Sequence, residues 1–489
     1  MTKTILFRAD GNAKTGLGHL YRLFSLVEMT KGQYNFVFLT KEESTTKVIP
    51  KEYRFVTIPQ NITIDQEPEW VNSQFRAKSH SMIVDGYHFN SSYQKKLKAA
   101  GYTFIYIDDL ATEHMYADIV INHSPDLNET HYKTEPYTQL ALGTQFALLR
   151  PAFLKAAREK RKTNSIETAF VCFGGSDPND LSFKAVKALL QFKKINIVLG
   201  EAYNHKDIIE LAKQYSDKIK SYKNLTETEL VNVMKESHIG IAPASTILYE
   251  LCCVKMPILS GFYVENQKNI YRELADLNVI YSGGDFRKAT TEDFQSMITS
   301  LLKSPLHNAY LENQSKIFDG NSSQRILGLI NRLHISFRKA SEKDMLTVFK
   351  WSNDNLVRQN SYNSDEIALK DHKNWFTNKI KDEKSLFLIV LVNNQPSGIV
   401  RYEINNEYSV VGIVVSKDYR GQGLATYFLK EAAAYYFKRF DKPIHAYIKK
   451  ENLASIKSFE KARFKHFKDE IIKGNLSFVY KLKKSDAER

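Results

Sequence analysis

The stretch TILFRADGNAKTGLGH, residues 4–19, decides the fold. A β-rich run, Thr4–Arg8, passes into a glycine turn, and helical spacing predicts a helix over His19–Met29. Strand, glycine turn and helix in this order open a parallel α/β layer. Gly16 and Gly18 let the backbone approach a ligand, and the helix start offers free N–H groups to an anion. His19 stands at that mouth, and histidine is the side chain most readily poised as a base near neutral pH. The alternative is that His19 only caps the turn.

Working outward, the pattern repeats. Further strands are predicted at Phe36–Leu39, Ser81–Val84, Thr103–Ile107 and Ile119–Ile121, and a second series at Thr168–Phe173, Ile195–Leu199, Ile239–Ala242 and Pro257–Leu259. Helical segments fall between them, at Tyr93–Ala100, Asp180–Phe192, Asp207–Tyr215 and Glu227–Lys235. The charged run AAREKRKT, 156–163, separates the two series. Two doubly wound Rossmann-like domains facing each other across a cleft are therefore expected, at 1–155 and 156–333.

Two more turns can hold a ligand. In AFVCFGGSDPND, 169–180, a strand ends at Gly174-Gly175, Ser176 or Asp177 can cap a helix, and Pro178 suits a first helical position. In APASTILYELCCVKMPILSGFYVENQ, 242–267, a small-residue turn with Ser245 and Thr246 leads into a helix carrying Glu250, and Asn266 and Gln267 follow the next strand. A carboxylate one turn into such a helix can accept hydrogen bonds from both hydroxyls of a ribose. A solvated helix residue is the alternative for Glu250.

The 489 residues suggest about three domains. Of the net charge of +14, an excess of +10 lies in 335–489, with 29 basic and 19 acidic residues, and only +4 in the first 334. No helix-turn-helix, zinc-finger or arginine-rich segment accompanies it, so nucleic acid is not the expected partner. A local excess suits an anionic small molecule or a solvated lysine surface. There is no run of about 20 apolar residues, and MTKTILFRAD turns polar too soon for a signal peptide. Neither a membrane span nor export is expected. Cys172, Cys252 and Cys253 have no metal-ligand spacing, so no metal is expected and a reducing cytoplasm is the natural location. The oligomeric state is not legible.

The segments FRAD (7–10), GLGHLYR (16–22), IVDGYHF (83–89), IDDLA (107–111), FALLRPAF (146–153), CFGGSDPND (172–180), PASTILYELC (243–252) and ENQ (265–267), in this order, resemble the UDP-sugar hydrolase family of the pseudaminic acid pathway. That family removes UDP from UDP-2,4-diacetamido-2,4,6-trideoxy-β-L-altropyranose. The resemblance spans roughly residues 3–330 and implies a glycosyltransferase-B type fold without a metal. It further implies His19 as general base and Arg150, Glu250 and Asn266 as ligand positions. Asp10, Gly18, Tyr87, Gly175, Ser176, Ser245, Thr246 and Gln267 lie in matching motifs and complete the expected substrate site. Water attacks the anomeric carbon, His19 takes its proton, and helix N–H groups meet the charge on departing UDP. UDP is a good leaving group, so the second carboxylic acid of ordinary glycosidases is not needed.

Near Ile335 the pattern changes. ISFRKAS starts a new strand, and helical Glu342–Trp351 precedes antiparallel-type strands at Ser385–Val392, Gly398–Ile404 and Ser409–Val415. Then Arg420-Gly421-Gln422-Gly423-Leu424-Ala425 sits between a strand and a helix, and consecutive N–H groups there can wrap a pyrophosphate. IHAYIKKENLASIKSFEKARF, 444–464, follows as strand, Asn452 and helix. These features resemble the GCN5-related N-acetyltransferase (GNAT) family, with its [QR]-x-x-G-x-[GA] signature. The resemblance implies a third α/β domain at 334–489 with a mixed, largely antiparallel sheet. It also implies acetyl-CoA as cosubstrate, with residues 420–425 on the pyrophosphate, Val414 and Val415 on the pantetheine, and Asn452 on the cofactor. Many relatives carry a tyrosine that reprotonates the CoA thiolate, where this chain has Phe459, and Arg463 replaces a glycine; Tyr447 or a water remains as the acid. Glu403 is a candidate base. WSNDNLVR (351–358) and DHKNWF (371–376) resemble acetyltransferases acting on the 4-amine of a UDP-amino-sugar; Trp351 and Trp375 stack on the sugar or belong to the core.

The combined expectation is a bifunctional enzyme. Its acetyltransferase acetylates UDP-4-amino-4,6-dideoxy-N-acetyl-β-L-altrosamine, and its hydrolase releases UDP from the product. The rivals are a glycosyltransferase with an appended acetyltransferase, since the fold alone does not fix hydrolysis, and a nucleotide-sugar sensor without turnover.

Overall fold

The computed structural model describes residues 3–12, 16–125, 127–161, 166–200 and 203–487. They form two compact units, Lys3–Ser323 and the residues from Gln324 onward.

The first unit holds two parallel sheets. One contains β1 (Thr4–Ala9), β2 (Asn35–Lys41), β3 (Phe55–Ile58), β4 (His80–Asp85), β5 (Phe104–Ile107), β7 (Ile119–Asn122) and β9 (Gln139–Leu142), in the order β3-β2-β1-β4-β5-β7-β9. The two-residue strands β6 (His114–Met115) and β8 (Lys133–Thr134) pair beside it. The other contains β10 (Thr168–Val171), β11 (Lys194–Val198), β12 (Ile219–Tyr222), β13 (Ile239–Pro243), β14 (Ile258–Phe262) and β15 (Tyr281–Asp285), in the order β12-β11-β10-β13-β14-β15. Every strand pair in both sheets is parallel. The central strands are buried throughout, as parallel strands covered by helices on both faces must be.

Both sheets reverse direction of growth beside their first strand, between β1 and β4 and between β10 and β13. A ligand crevice opens at such a switch point, beyond the strands' carboxyl ends. Within these two large sheets the strands that the sequence pattern does not announce are β3, β9, β12 and β15, and all four are sheet edges. An edge strand need not be apolar on both faces, and IKSY (219–222) and YSGGD (281–285) are not. The expected charged spacer at 156–163 begins inside a helix, Pro151–Arg158, whose Phe153, Leu154, Ala156 and Ala157 are buried.

The second unit carries one mixed sheet: β16 (Ile335–Lys339), β17 (Ser385–Val392), β18 (Gln395–Ile404), β19 (Ser409–Val415), β20 (Ile444–Lys449), β21 (Lys465–Ile472) and β22 (Asn475–Leu482), in the order β16-β17-β18-β19-β20-β22-β21. All pairs are antiparallel except β19 with β20. This is the mixed, largely antiparallel arrangement expected. The helix Leu424–Phe437 buries Leu424, Phe428, Leu429, Ala432, Ala433 and Tyr436 against it, a spacing of one helical face. The helix Ser322–Arg332 crosses the division between units, and its residues from Gln324 on count with the second unit.

Candidate active sites

The first site lies at the switch point of β1 and β4. The helix Gly18–Thr30 starts there, and His19 is its second residue. Gly16 has φ +84, a conformation few side chains adopt, and a Cβ on Gly18 would meet nothing within 4 Å. His19 Nδ1 lies 2.7 Å from Oδ1 of Asp85, the last residue of β4. Asp85 is fully buried. Arg22, one helical turn beyond His19, donates to both Asp85 oxygens at 2.6 and 2.9 Å and to Asp109 at 2.6 Å. Arg22 Nη2 also comes within 2.8 Å of His19 Nδ1. With Nδ1–H donated to the carboxylate, the Nε2 lone pair is left for another partner.

Tyr87 stands edge-on to the His19 ring at 4.8 Å. Burial and then Asp109, to which it hydrogen-bonds, push its hydroxyl up to about 12. Burial raises Asp109, but the charge and hydrogen bond of Arg22, together with His123 and His19, hold it well below the usual carboxylate range. Half-buried His123, behind them, is lowered to about 4, first by removal from water and then by Arg22. Its Nδ1 is buried with no hydrogen-bond partner among the described residues.

Asp10, expected on the substrate, is held by groups of β1, β2 and the loop after β4. Its Oδ1 accepts from Arg8 at 2.5 Å and from the Lys41 N–H at 2.7 Å, and its Oδ2 faces His88 at 3.1 Å. Arg8 in turn forms a two-pronged pair with Glu67 at 2.6 and 2.9 Å. Arg8 and Glu67 are both fully buried, and Tyr93 donates to Glu67 as well. This network anchors the turn that presents His19.

The second sheet carries the other expected ligand groups. The helix after β10 begins only at Leu181, so Pro178 lies in the preceding turn rather than at a first helical position. Asp177, not Ser176, closes its start, accepting from the N–H groups of Leu181 and Ser182 at 3.0 and 2.7 Å. That helix end is satisfied by its own carboxylate, while Gly175 and Ser176 stay exposed in the turn. After β13, Ser245 precedes the helix Thr246–Val254 without using its side chain as a cap. The N–H groups of Thr246 and Ile247 donate no backbone hydrogen bond among the described residues. Glu250 is buried rather than solvated, and Arg150 reaches its Oε1 from Nε at 2.9 Å and Nη2 at 2.7 Å. Burial still raises the Glu250 carboxyl despite that partner. Asn266 is exposed, whereas Gln267 is buried and accepts from the Tyr263 N–H at 3.0 Å. Tyr263 in turn donates to the Phe173 carbonyl, tying the loops after β14 and β10 together.

Of these groups the sequence singles out His19 and Tyr87 but not Asp85, Arg22, Asp109 or His123. Asp85 and Asp109 stand inside quoted motifs. Their signal is position: a carboxylate at or just past the carboxyl end of a strand beside the switch point.

The second site lies in the mixed sheet. β19 and β20 pair only at Ser409–Ile444 and Val410–His445 and then part. Val414 and Val415 line β19 beyond that opening, both half-buried. Gly421 and Gly423 both have positive φ, +77 and +69, and are exposed. The N–H groups of residues 421–424 donate no backbone hydrogen bond among the described residues. Arg420 turns its side chain away to Asp354 at 2.9 Å and to the Val415 carbonyl at 3.0 Å. Leu424 is buried and Ala425 half-buried at the helix start. Asn452 caps the helix Leu453–Lys461 by accepting from the Ser455 N–H at 3.2 Å. Phe459 is buried against Phe464.

Tyr447, on β20 just past the parting, lies 3.5 Å from the Tyr408 hydroxyl. Burial first, then Tyr408, push its hydroxyl well up. Glu403 is paired with Arg401 at 3.2 Å and Lys379 at 3.5 Å. Trp351 and Trp375 pack on the small core of Val348, Phe376, Phe387, Ile389 and Ile399. No group of three or more metal-ligating side chains occurs among the described residues, and no helix among them is long and apolar enough to cross a membrane.

Known proteins match both parts. Residues 334–465 match the family described as acetyltransferase (GNAT) domain. An uncharacterized protein of Methanocaldococcus jannaschii is 23% identical over 94% of this chain and 96% of its own length. The spore coat polysaccharide biosynthesis protein SpsG of Bacillus subtilis is 23% identical over 67% of this chain and 97% of its own. The UDP-2,4-diacetamido-2,4,6-trideoxy-β-L-altropyranose hydrolase of Campylobacter jejuni is 26% identical over 55% of this chain and 96% of its own. The chain is a fusion of a UDP-sugar hydrolase-like unit with a C-terminal GNAT acetyltransferase domain.

Proposed function

We propose that this enzyme performs two consecutive steps on one nucleotide sugar. The GNAT domain transfers an acetyl group from acetyl-CoA to the 4-amine of UDP-4-amino-4,6-dideoxy-N-acetyl-β-L-altrosamine. The two-sheet unit then hydrolyses UDP-2,4-diacetamido-2,4,6-trideoxy-β-L-altropyranose to UDP and the free sugar. The observation that carries the hydrolytic half is the His19–Asp85 pair at the switch point, 2.7 Å apart.

Held through Nδ1, His19 offers Nε2 to a water beside the anomeric carbon. The water proton moves to Nε2, the new C–O bond forms, and the bond to the diphosphate breaks. Buried Asp85 stabilises the imidazolium that results. The departing diphosphate is met by backbone N–H groups of the turns at Gly175–Ser176 and Thr246–Ile247, and Glu250 has its Oε2 left for the ribose.

In the other domain the acetyl group is carried by acetyl-CoA. The parted strands β19 and β20 leave β19 backbone groups for the pantetheine arm, and the 421–424 turn takes the pyrophosphate. The similarity to the C. jejuni hydrolase supports the choice of sugar.

The test is mass spectrometry of the UDP-amino-sugar incubated with the full chain, with and without acetyl-CoA. Gain of one acetyl group followed by loss of UDP is the expected sequence. UDP release only on addition of a sugar acceptor would favour a glycosyltransferase instead, and binding without turnover a sensor.

A further inference from the structure

The helix Ser322–Arg332 ends before the matched acetyltransferase segment begins, yet it packs on that segment's glycine turn. Asn331 Nδ2 donates to Gln422 Oε1 at 2.7 Å, and both residues are buried. Gln422 Nε2 donates to the Asp418 carbonyl at 3.1 Å. A Cβ on Gly328 would overlap the Gln422 carbonyl oxygen, so only glycine lets the helix come this close. The Gln422 side chain therefore serves as a pin into the helix, and only its backbone faces a ligand.

Arg332 closes the same helix. Its guanidinium lies over the Tyr427 ring, 3.9 Å from the centroid. A Cβ on Gly423 would stand 3.6 Å from its Nη2. Its Nε is buried without a hydrogen-bond partner, and it forms no ion pair among the described residues. Two more cations, Lys430 and Arg463, act on the same neighbourhood. Burial and these arginines lower Lys430, and burial lowers Arg332. A half-buried cation without a carboxylate is costly unless an anion arrives to meet it.

We infer that Arg332 binds the pyrophosphate of acetyl-CoA, so that the junction helix is part of the cofactor site of the GNAT domain. This rests on the acetyl-CoA reading above. Stacking on Tyr427 takes one face of the guanidinium and fixes its plane, leaving N–H edges for phosphate oxygens. The turn N–H groups hold the anion from one side and Arg332 from the other. Arginine suits this place better than lysine because its planar fork matches phosphate oxygens two at a time.

The experiment uses the full chain and its Arg332→Met and Arg332→Lys variants. Methionine keeps an unbranched stem against Tyr427 but removes the charge. Calorimetry measures binding of CoA and of 3′-dephospho-CoA, and kinetics measure acetyl transfer from acetyl-pantetheine, which has no phosphate. Arg332→Met is expected to weaken CoA and dephospho-CoA by the same factor, about tenfold, with Arg332→Lys in between. Turnover with acetyl-pantetheine stays unchanged. Equal CoA affinity in Arg332→Met overturns the inference. So does an equal loss with acetyl-pantetheine, which marks a structural role, or a loss that disappears with dephospho-CoA, which assigns the contact to the 3′-phosphate. Failure of the unsubstituted chain to bind CoA overturns the acetyl-CoA reading itself.

Discussion

Asp85 Oδ1 and His19 Nδ1 are 2.7 Å apart, and the carboxylate is fully buried while the ring stays half-buried. Two residues 66 positions apart meet because β1 and β4 are neighbours at the switch point. Asp85→Asn keeps the shape but removes the charge that favours the Nδ1–H tautomer. UDP release is expected to fall about 10²-fold in kcat with little change in KM. His19→Ala should lose at least as much. Acetyl transfer by the same chain is the internal control and stays intact. Retained hydrolysis in His19→Ala would remove the assigned base.

Glu250 and Arg150 test the facing half. Glu250→Gln is expected to raise KM for the UDP-sugar about tenfold and to leave kcat near its starting value, since the ribose contact is the same in ground and transition states. Arg150→Met leaves the buried carboxylate without its cation and is expected to destabilise the first unit by about 3 kcal/mol. The double variant should recover part of that loss, because no unpaired charge remains. Simple additivity of the two in thermal unfolding would show that the 2.7 Å pair carries no coupling.

His123 is expected to make the hydrolase-like unit acid-sensitive. Its folded value of about 4 lies below the ordinary value of 6.5. Between these two pH values the unfolded chain binds a proton that the folded chain refuses. Stability is therefore full above 6.5 and falls as pH drops toward 4, by at most about 3 kcal/mol and less where water reaches the ring. His238, lowered mainly by burial, adds to the same window, so the measurement is a difference. His123→Gln should flatten the fall between pH 6.5 and 4 in denaturant titrations. An unchanged slope would show that His123 is not the group responsible.

Much of this arrangement was legible because parallel strands under helices must be continuously apolar. The runs TILFRA, FIYI and TAFV announce themselves. Edge strands such as YSGGD escape, being open to water on one side. Turn residues were legible as types but not as duties. DPND suggests both a cap and a helix-start proline, yet the helix begins only at Leu181 and Asp177 reaches past Pro178 to cap it. The two ligand candidates Arg150 and Glu250 turned out to hold each other, which spacing over 100 residues cannot announce. Arg332 escaped because it lies ahead of the pattern that marks the domain it serves.

Tyr447 is the candidate proton donor of the second site, with a water as the alternative. Phe459, where many relatives have tyrosine, is buried and carries no hydroxyl. Tyr447 sits where β19 and β20 part, and burial and Tyr408 keep its hydroxyl protonated. A CoA thiolate leaving the tetrahedral intermediate can take that proton. Tyr447→Phe is expected to lower kcat for acetyl transfer about tenfold at neutral pH, with KM for acetyl-CoA unchanged. The deficit should shrink above pH about 8.5, the ordinary range of a thiol, because the product then leaves as a stable thiolate. A structural loss of packing would not follow that pH dependence. A deficit constant from neutral to alkaline pH would assign proton delivery to another group.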